Sequence, residues 1–282
     1  MKLGIALSGG GSRGIAHAGV LKALEENNIK PDIIGGTSSG SIVASLYAIG
    51  YSPDEIYSLY KENASKLVEI NKMPIIFTIG NFIRNKKIKI SGLKTGESLE
   101  KTYNEIAYKK NIESIKDIKM PIVIPSVSLK DCKEYIFTNI IPDEENKQYI
   151  TDITVGKAVR ASSSFTGVFC PCKYKEHLFI DGGALDNVPV QEVKKQGADK
   201  VIAVKFNSDQ ITKESNVMDM VMKTIDIMGN KVSEEGLELS DFVLTVPTDK
   251  TGLLDIDKAD KCFKFGYDAV IKNLDEIKRT LK

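Results

Sequence analysis

The feature that most constrains this chain is the regular alternation of apolar runs, glycine-rich turns and helical patterns in its first fifty residues. Leu3–Leu7 is a short apolar run that ends at glycines, which is typical of a buried parallel strand. Helical spacing follows up to Glu26, and the next elements are a predicted strand at Asp32–Ile34 and a helix at Ser41–Ile49. Strands that alternate with helices across short turns favour an α/β fold with a parallel sheet covered on both faces.

The rest of the chain continues the mixed pattern without an internal repeat or a low-complexity linker. From Ser52 to about Glu113 the sequence is mainly helical and more polar. We therefore predict one domain over residues 1–282. Further strands are predicted at 121–129, around Tyr135–Phe137, at 177–180, 201–206 and 241–247, and further helices from Thr154, over 217–240 and around 257–281.

The net charge and the N-terminal residues argue against a nucleic-acid-binding protein and a secreted one. Thirty-nine basic residues against thirty-eight acidic ones give a net charge of +1, which gives no reason to expect a nucleic-acid partner. The first apolar run has five residues, fewer than the roughly 7–15 of a secretory signal. No run approaches the ~18 apolar residues of a membrane span. We expect a cytoplasmic protein, with peripheral contact at the inner face of the membrane as an open alternative.

The cysteines and histidines give little support for a metal centre. The chain has two histidines, and its four cysteines do not form paired C-x-x-C motifs. We predict no metal and no cofactor, with the thiols reduced in the cytosol. The cysteines are Cys132, Cys170, Cys172 and Cys262.

The segment MPIIFTIGNFIRNKKIKI, residues 73–90, interrupts the helical region. It combines an apolar patch with flanking basic residues, a pattern that suits contact with an anionic lipid surface. A packed segment followed by a solvated loop is the alternative. We therefore predict a lid or a membrane-contact insertion at about 65–95, and leave the choice between these readings open.

A glycine loop, SGGGSRG, lies between the first strand and the first helix. Successive amides at a helix N-terminus bind an anion, which could be a phosphate or a developing oxyanion. Gly9, Gly11 and Gly14 also satisfy the dinucleotide pattern G-x-G-x-x-G. That pattern expects an acidic residue at the end of the second strand, whereas Asp32 begins its strand. A tight strand–helix turn with no ligand is the purely structural alternative.

The second motif, GTSSG at residues 36–40, matches the nucleophile pattern G-x-S-x-G between a strand and a helix. Small neighbours at Gly36 and Gly40 permit the sharp turn that exposes the Ser38 hydroxyl. An ordinary α/β-hydrolase is disfavoured, because the motif follows only one strand–helix unit. Such an enzyme also needs a late histidine, and His177 is the sole histidine after Ser38.

An aspartate can replace the histidine if it reaches the serine hydroxyl directly. Asp181 follows a short predicted strand and precedes two glycines, which remove bulk around the carboxylate. A simple Asp-Gly turn is the alternative. The remaining histidine, His17, lies in the first helix, where we predict a packed or capping role.

Together, SGGGSRG, GTSSG and IDGG in this order resemble the patatin-like phospholipase family, and most closely its compact bacterial members. The segment RASSSFTGVF, residues 160–169, is similar to the small-residue block that precedes the family's catalytic aspartate. The resemblance extends from Lys2 to about Lys272. One departure is Ser8, which stands where the plant-type motif has an acidic residue.

The resemblance implies a three-layer α/β/α sandwich with a mostly parallel sheet, and an acyl hydrolase that needs no cofactor. Such an enzyme cleaves lipid esters, as a phospholipase A or a lysophospholipase, through an acyl-enzyme. Ser38 is carried over as the nucleophile and Asp181 as the general base. The oxyanion loop and its basic neighbour correspond to Gly9, Gly10, Gly11 and Arg13.

Two other functions are weighed against this one. A nucleotide-binding oxidoreductase would use the glycine loop but leaves GTSSG and IDGG unexplained. A catalytically silent lipid-binding or regulatory protein on the same scaffold would explain all three motifs, although the serine, the aspartate and the glycines are intact.

Overall fold

The computed structural model describes residues 1–68, 92, 94–142, 148–207, 217–248 and 256–282. Most of the segment at about 65–95, for which we predict a lid or a membrane-contact insertion, lies outside the described residues. That interpretation therefore stays a prediction.

A mixed sheet organises the molecule, and nine strands of the described ranges belong to it. Its main path runs β5-β4-β3-β2-β1-β8-β9, and the pairs β1–β2, β1–β8, β2–β3 and β8–β9 are parallel. The strands are β1 (Leu3–Leu7), β2 (Ile33–Gly36), β3 (Ile122–Ser128), β4 (Lys133–Thr138), β5 (Gln148–Ile150), β6 (Cys172–Tyr174), β7 (His177–Asp181), β8 (Lys200–Phe206) and β9 (Phe242–Val246).

Helices connect these strands and cover the sheet. None of the helices in the described ranges is both long enough and apolar enough to cross a bilayer. The helices are α1 (Ala16–Glu26), α2 (Ser39–Ala48), α3 (Pro53–Val68), α4 (Glu97–Tyr108), α5 (Val155–Ser162), α6 (Val190–Lys195), α7 (Val217–Val232), α8 (Glu234–Glu238) and α9 (Ala259–Thr280).

The period-two alternation of the central strands divides the apolar residues between two cores. Ile5 and Leu7 of β1 belong to the larger cluster, with α1, α2 and α9. Ala6 faces the opposite side and joins the smaller cluster, which includes Val193 of α6. Successive side chains of a strand point to opposite faces, so a completely apolar strand requires cover on both. The predicted α/β architecture, with helices flanking a mostly parallel sheet, is confirmed.

Element boundaries agree with the predictions to within a few residues, and two short strands were not predicted. Asp32 precedes β2, and its carboxylate accepts a hydrogen bond from the Leu3 amide at 2.8 Å. The unpredicted strands β5 and β6 have three residues each, too few to show a periodicity.

Strand β3 determines where the ends of two other strands meet. Its edge towards β4 is paired from Val123 to Ser128. Its other edge pairs with β2 as far as Val123 and with the antiparallel β7 from Ser126 onwards. The C-terminal ends of β2 and β7 therefore point towards each other across the gap at Ile124 and Pro125. Proline is tolerated within this interior strand because it occupies the unpaired gap.

Candidate active site

The turn after β2 holds Ser38 in a backbone conformation that few side chains adopt. Its dihedral angles are φ 52° and ψ −122°, and α2 begins at the next residue. A Cβ on Gly36 would lie 2.3 Å from the Gly40 carbonyl oxygen, and one on Gly40 would lie 2.5 Å from that of Leu7. Both positions therefore require glycine, which is the physical reason for the G-x-S-x-G pattern. A strained φ at a non-glycine residue costs about 1–3 kcal/mol and is typical of functional sites.

The side chain of Ser38 meets that of Asp181 across the gap between β2 and β7. Ser38 Oγ donates a hydrogen bond to Asp181 Oδ2 at 2.6 Å, although the residues are 143 positions apart. This is a short bond of the kind that hydroxyl groups make with charged carboxylates. The structure thus brings together the two residues that the sequence singled out.

The Asp181 carboxylate is buried but receives two hydrogen bonds. Its second oxygen, Oδ1, accepts from the Gly183 amide at 2.9 Å. Burial raises its pKa from 3.8 to about 6, and the bonds from Ser38 and Gly183 only partly offset that rise. At neutral pH the carboxylate is therefore mostly ionised, yet much more basic than an exposed aspartate. A base of this strength is suited to taking a proton from a hydroxyl group.

The glycine loop lies directly against Ser38. A Cβ on Gly9 would be 2.7 Å from Asn187 Oδ1 and 3.2 Å from the Ser38 Cβ, so this close approach requires glycine. The Gly9 amide donates to Asn187, to both its backbone oxygen and its Oδ1, each at 3.2 Å. By contrast, the amides of Gly10 and Gly11 donate to no other residue in the described part of the chain. Within the described residues the Gly9 amide is thus engaged and those of Gly10 and Gly11 are not, while the oxyanion hole over Gly9, Gly10 and Gly11 stays a prediction.

Arg13 supports the loop from the side. Its guanidinium Nε donates to the Gly10 carbonyl oxygen at 3.1 Å and its Cζ lies 5.4 Å from the Phe206 ring centroid. The side chain is almost completely buried. The positive charge of Arg13, which was predicted to lie beside the glycine loop, is thus bonded to that loop.

Neither histidine belongs to the serine–aspartate pair. His17 is fully buried, its Nε2 lies 2.8 Å from the Ser8 carbonyl oxygen, and burial lowers its pKa to about 4. This confirms the prediction of a packed residue. His177 begins β7 and its Nδ1 lies 2.9 Å from Ser128 Oγ. It lies four residue steps along β7 from Asp181, a distance of roughly 13 Å.

Several residues of the site were not predicted. Ser162, at the end of α5, accepts a hydrogen bond from the Ser38 amide on its Oγ at 3.0 Å. Thr37 Oγ1 donates to the Asp186 carbonyl oxygen at 2.9 Å and ties the turn to the segment after β7. Ser162 lies within the small-residue block that carried the resemblance, so that block was a usable signal. For Asn187 the sequence offered none.

Comparison with known proteins places the chain in a family. A family model for patatin-like phospholipases matches residues 5–194, well over half of the sequence. The chain belongs to the patatin-like phospholipase family. Its predicted membership is confirmed. The match includes the glycine loop, the serine turn and the aspartate of β7.

Curated relatives agree with this assignment. The lysophospholipase NTE1 of Candida albicans is 32% identical over 208 residues, which are 73% of this chain and 13% of that protein. The lysophospholipase NTE1 of Yarrowia lipolytica is 31% identical over 218 residues, which are 77% of the chain and 14% of that protein. The chain thus spans only a small part of the length of the relatives that it matches.

Two solved structures share the fold. VipD from Legionella pneumophila superposes with a TM-score of 0.52 at 16% identity, over 98% of this chain and 67% of that one. A chain of the ExoU–SpcU complex from the type III secretion system of Pseudomonas aeruginosa gives 0.51 at 19% identity, over 98% and 51%. Because both identities are below 20%, these similarities show a shared fold and nothing about activity.

Proposed function

We propose that this protein is a serine acyl hydrolase that cleaves lipid carboxylic esters, as a phospholipase A or a lysophospholipase. The observation that carries the proposal is the 2.6 Å hydrogen bond from Ser38 Oγ to a buried Asp181, at a turn that holds Ser38 in strained backbone geometry. Family membership and the names of the curated relatives support a lipid ester as the substrate.

In the first half of the reaction, Ser38 Oγ attacks the ester carbonyl carbon while its proton moves to Asp181 Oδ2. The carbonyl oxygen becomes an oxyanion in a tetrahedral intermediate. When the intermediate collapses, the C–O bond to the alcohol breaks and Asp181 returns the proton to the leaving oxygen. The products are an acyl-Ser38 ester and a free alcohol, which for a lysophospholipid is the headgroup-bearing glycerol.

The oxyanion needs donors that are already in position. We assign this task to the amides of Gly10 and Gly11, which follow Gly9 in the loop against Ser38. Arg13 holds the Gly10 carbonyl and keeps the loop in place. Removing one preorganised oxyanion donor typically lowers kcat by about 10²–10³-fold, so the loop is as important to the rate as the base.

In the second half, water attacks the acyl carbonyl carbon of acyl-Ser38. Asp181 accepts the proton of the water and passes it to Ser38 Oγ as the acyl bond breaks, which releases a free fatty acid. The pKa of about 6 leaves roughly nine in ten Asp181 side chains ionised at pH 7, so the base is ready for both halves.

The test combines a serine-directed fluorophosphonate probe with an assay of fatty acid released from lysophosphatidylcholine. Wild type should be labelled and should release fatty acid, whereas Ser38→Ala should do neither and Asp181→Asn should lose at least about 10³-fold in rate. Ser58→Ala, which removes an exposed hydroxyl of α3, is the control for a general effect of losing a serine. A well-folded wild type that is neither labelled nor active would favour the silent lipid-binding alternative.

Contact with a membrane surface and a cytoplasmic location are further parts of this proposal. Flotation of the protein with phosphatidylglycerol-containing and with neutral liposomes tests the contact. Flotation with neither kind of liposome would count against it.

A further inference from the structure

Asn187 joins the glycine loop to the segment that follows the aspartate. It lies six positions after Asp181 and is nearly completely buried. Both of its oxygens, the backbone O and Oδ1, accept from the Gly9 amide at 3.2 Å. Because Gly9 lies against Ser38, Asn187 holds the loop beside the serine hydroxyl through its backbone oxygen and its side chain together.

The other side of Asn187 is anchored to the end of α7. Its backbone amide donates to Oγ of Ser233, the residue after α7, at 2.9 Å. Its side-chain Nδ2 donates to Asn230 Oδ1 at 3.3 Å. A Cβ on Gly229 would lie 2.4 Å from the Gly183 carbonyl oxygen, so the helix itself packs on the segment after β7. These bonds fix the orientation of the side-chain amide, and they leave Oδ1 directed at Gly9.

Asn187 also lies close to the carboxylate of Asp181. A Cβ on Gly183 would be 3.1 Å from Asn187 Oδ1 and 3.1 Å from Asp181 Oδ1. The two oxygens are therefore within about 6 Å of each other, near enough for a charge on one side chain to affect the pKa of the other.

We propose that Asn187 is a positioning residue for the hydrolysis, which holds the Gly9 amide so that the amides of Gly10 and Gly11 keep their place relative to Ser38 and Asp181. The inference rests on the proposed function and extends it to a residue outside the three motifs. Asn187 is uncharged and acts only through Gly9, because the carboxylate, the hydroxyl and the oxyanion donors all belong to other residues.

The principal test compares Asn187→Ala with a matched asparagine. Asn104 Oδ1 accepts from the Gly156 amide at 2.8 Å, which is the same kind of bond made away from Ser38. Asn187→Ala should lower kcat and the rate of fluorophosphonate labelling by about ten- to a hundredfold with KM within twofold, because misplacement by about 1 Å can cost 10²-fold in rate. Asn104→Ala should lower the melting temperature without changing kcat.

Asn187→Asp provides a second test with a side chain of nearly the same shape. A carboxylate within about 6 Å of Asp181 should raise its pKa, and so move the acidic limb of kcat/KM to higher pH by about one unit. This shift tests the placement of Asn187 beside Asp181, whereas the loss of kcat in Asn187→Ala tests its hold on the Gly9 amide. The inference is overturned if Asn187→Ala keeps wild-type kcat, or if both alanine variants lose kcat equally.

Ser38→Ala separates failure of this inference from failure of the proposed function. Loss of activity in Ser38→Ala together with full activity in Asn187→Ala would overturn the role of Asn187 alone. Absence of activity in a folded wild type would overturn both.

Discussion

Replacing Asp181 by asparagine should make the folded protein more stable at neutral pH while it abolishes hydrolysis. The prediction follows from burial, which raises the carboxyl pKa to about 6, whereas the unfolded chain should have a value near 3.8. A buried carboxylate that must be ionised to act as a base costs folding free energy whenever the pH is high enough to ionise it. The amide of asparagine carries no charge and escapes this cost.

The sign and size follow from proton binding. Between about pH 4 and pH 6 the folded state holds the Asp181 proton and the unfolded state does not, so the free energy of unfolding of the wild type falls as the pH rises. A difference of about two pKa units corresponds to about 3 kcal/mol. The advantage of Asp181→Asn should therefore be absent below pH 4, grow through pH 6 and level off above about pH 7 at up to ~3 kcal/mol.

Urea unfolding of both proteins at half-unit steps from pH 4 to pH 8 measures this difference directly. Ser38→Ala is an informative companion, because the Ser38 hydrogen bond lowers the pKa of Asp181. In the Ser38→Ala background, the stability advantage of adding Asp181→Asn should therefore keep growing to a higher pH than it does in the wild type. A difference between wild type and Asp181→Asn that stays constant across the range, or that shrinks as the pH rises, would refute the reasoning.

Three further predictions address the rate, the turn and the first helix. With a soluble short-chain ester, kcat/KM should fall about tenfold per pH unit below about pH 6, because the protonated Asp181 is no base; a flat profile down to pH 5 would contradict this. Gly36→Ala should abolish fluorophosphonate labelling and lower stability by about 1–3 kcal/mol, since its Cβ would lie 2.3 Å from the Gly40 oxygen. His17→Leu should lower the free energy of urea unfolding by about 1–3 kcal/mol by leaving the Ser8 carbonyl without its partner, and unchanged stability would show that this bond contributes little.

The parts of the fold that the sequence predicted are those with local causes. Leu3–Leu7 is apolar throughout because it is covered on both faces, and Gly36 and Gly40 are fixed by contacts within a single turn. The serine and the aspartate were identified because each lies in a short motif at the end of a strand. Their family resemblance then supplied the pairing, which the residues alone did not.

What the sequence did not predict depends on contacts between distant segments. Asn187 binds Gly9 across 178 positions, and nothing in its immediate neighbours distinguishes it from a loop asparagine. The engagement of the Gly9 amide by that same bond was not predicted either. The antiparallel pairing of β7 with β3 was equally hidden, because a strand's own residues do not encode the direction of its neighbour.

Strand β3 pairs with two strands that run in opposite directions, and this pairing sets the distance between Ser38 and Asp181. Ser38 and Asp181 extend from strands that are not paired with each other, and Ile124 and Pro125, which on this edge of β3 pair with neither strand, separate their registers. Adding or deleting one residue there would change the separation by about 3.3 Å, more than a hydrogen bond tolerates. The connection between β4 and β7 is tied to the same site, because Ser162 Oγ accepts from the Ser38 amide and the Ser164 carbonyl oxygen accepts from the Asp181 amide. A length change at Ile124 or Pro125 would therefore separate the two halves of the site even if every residue of both motifs stayed the same.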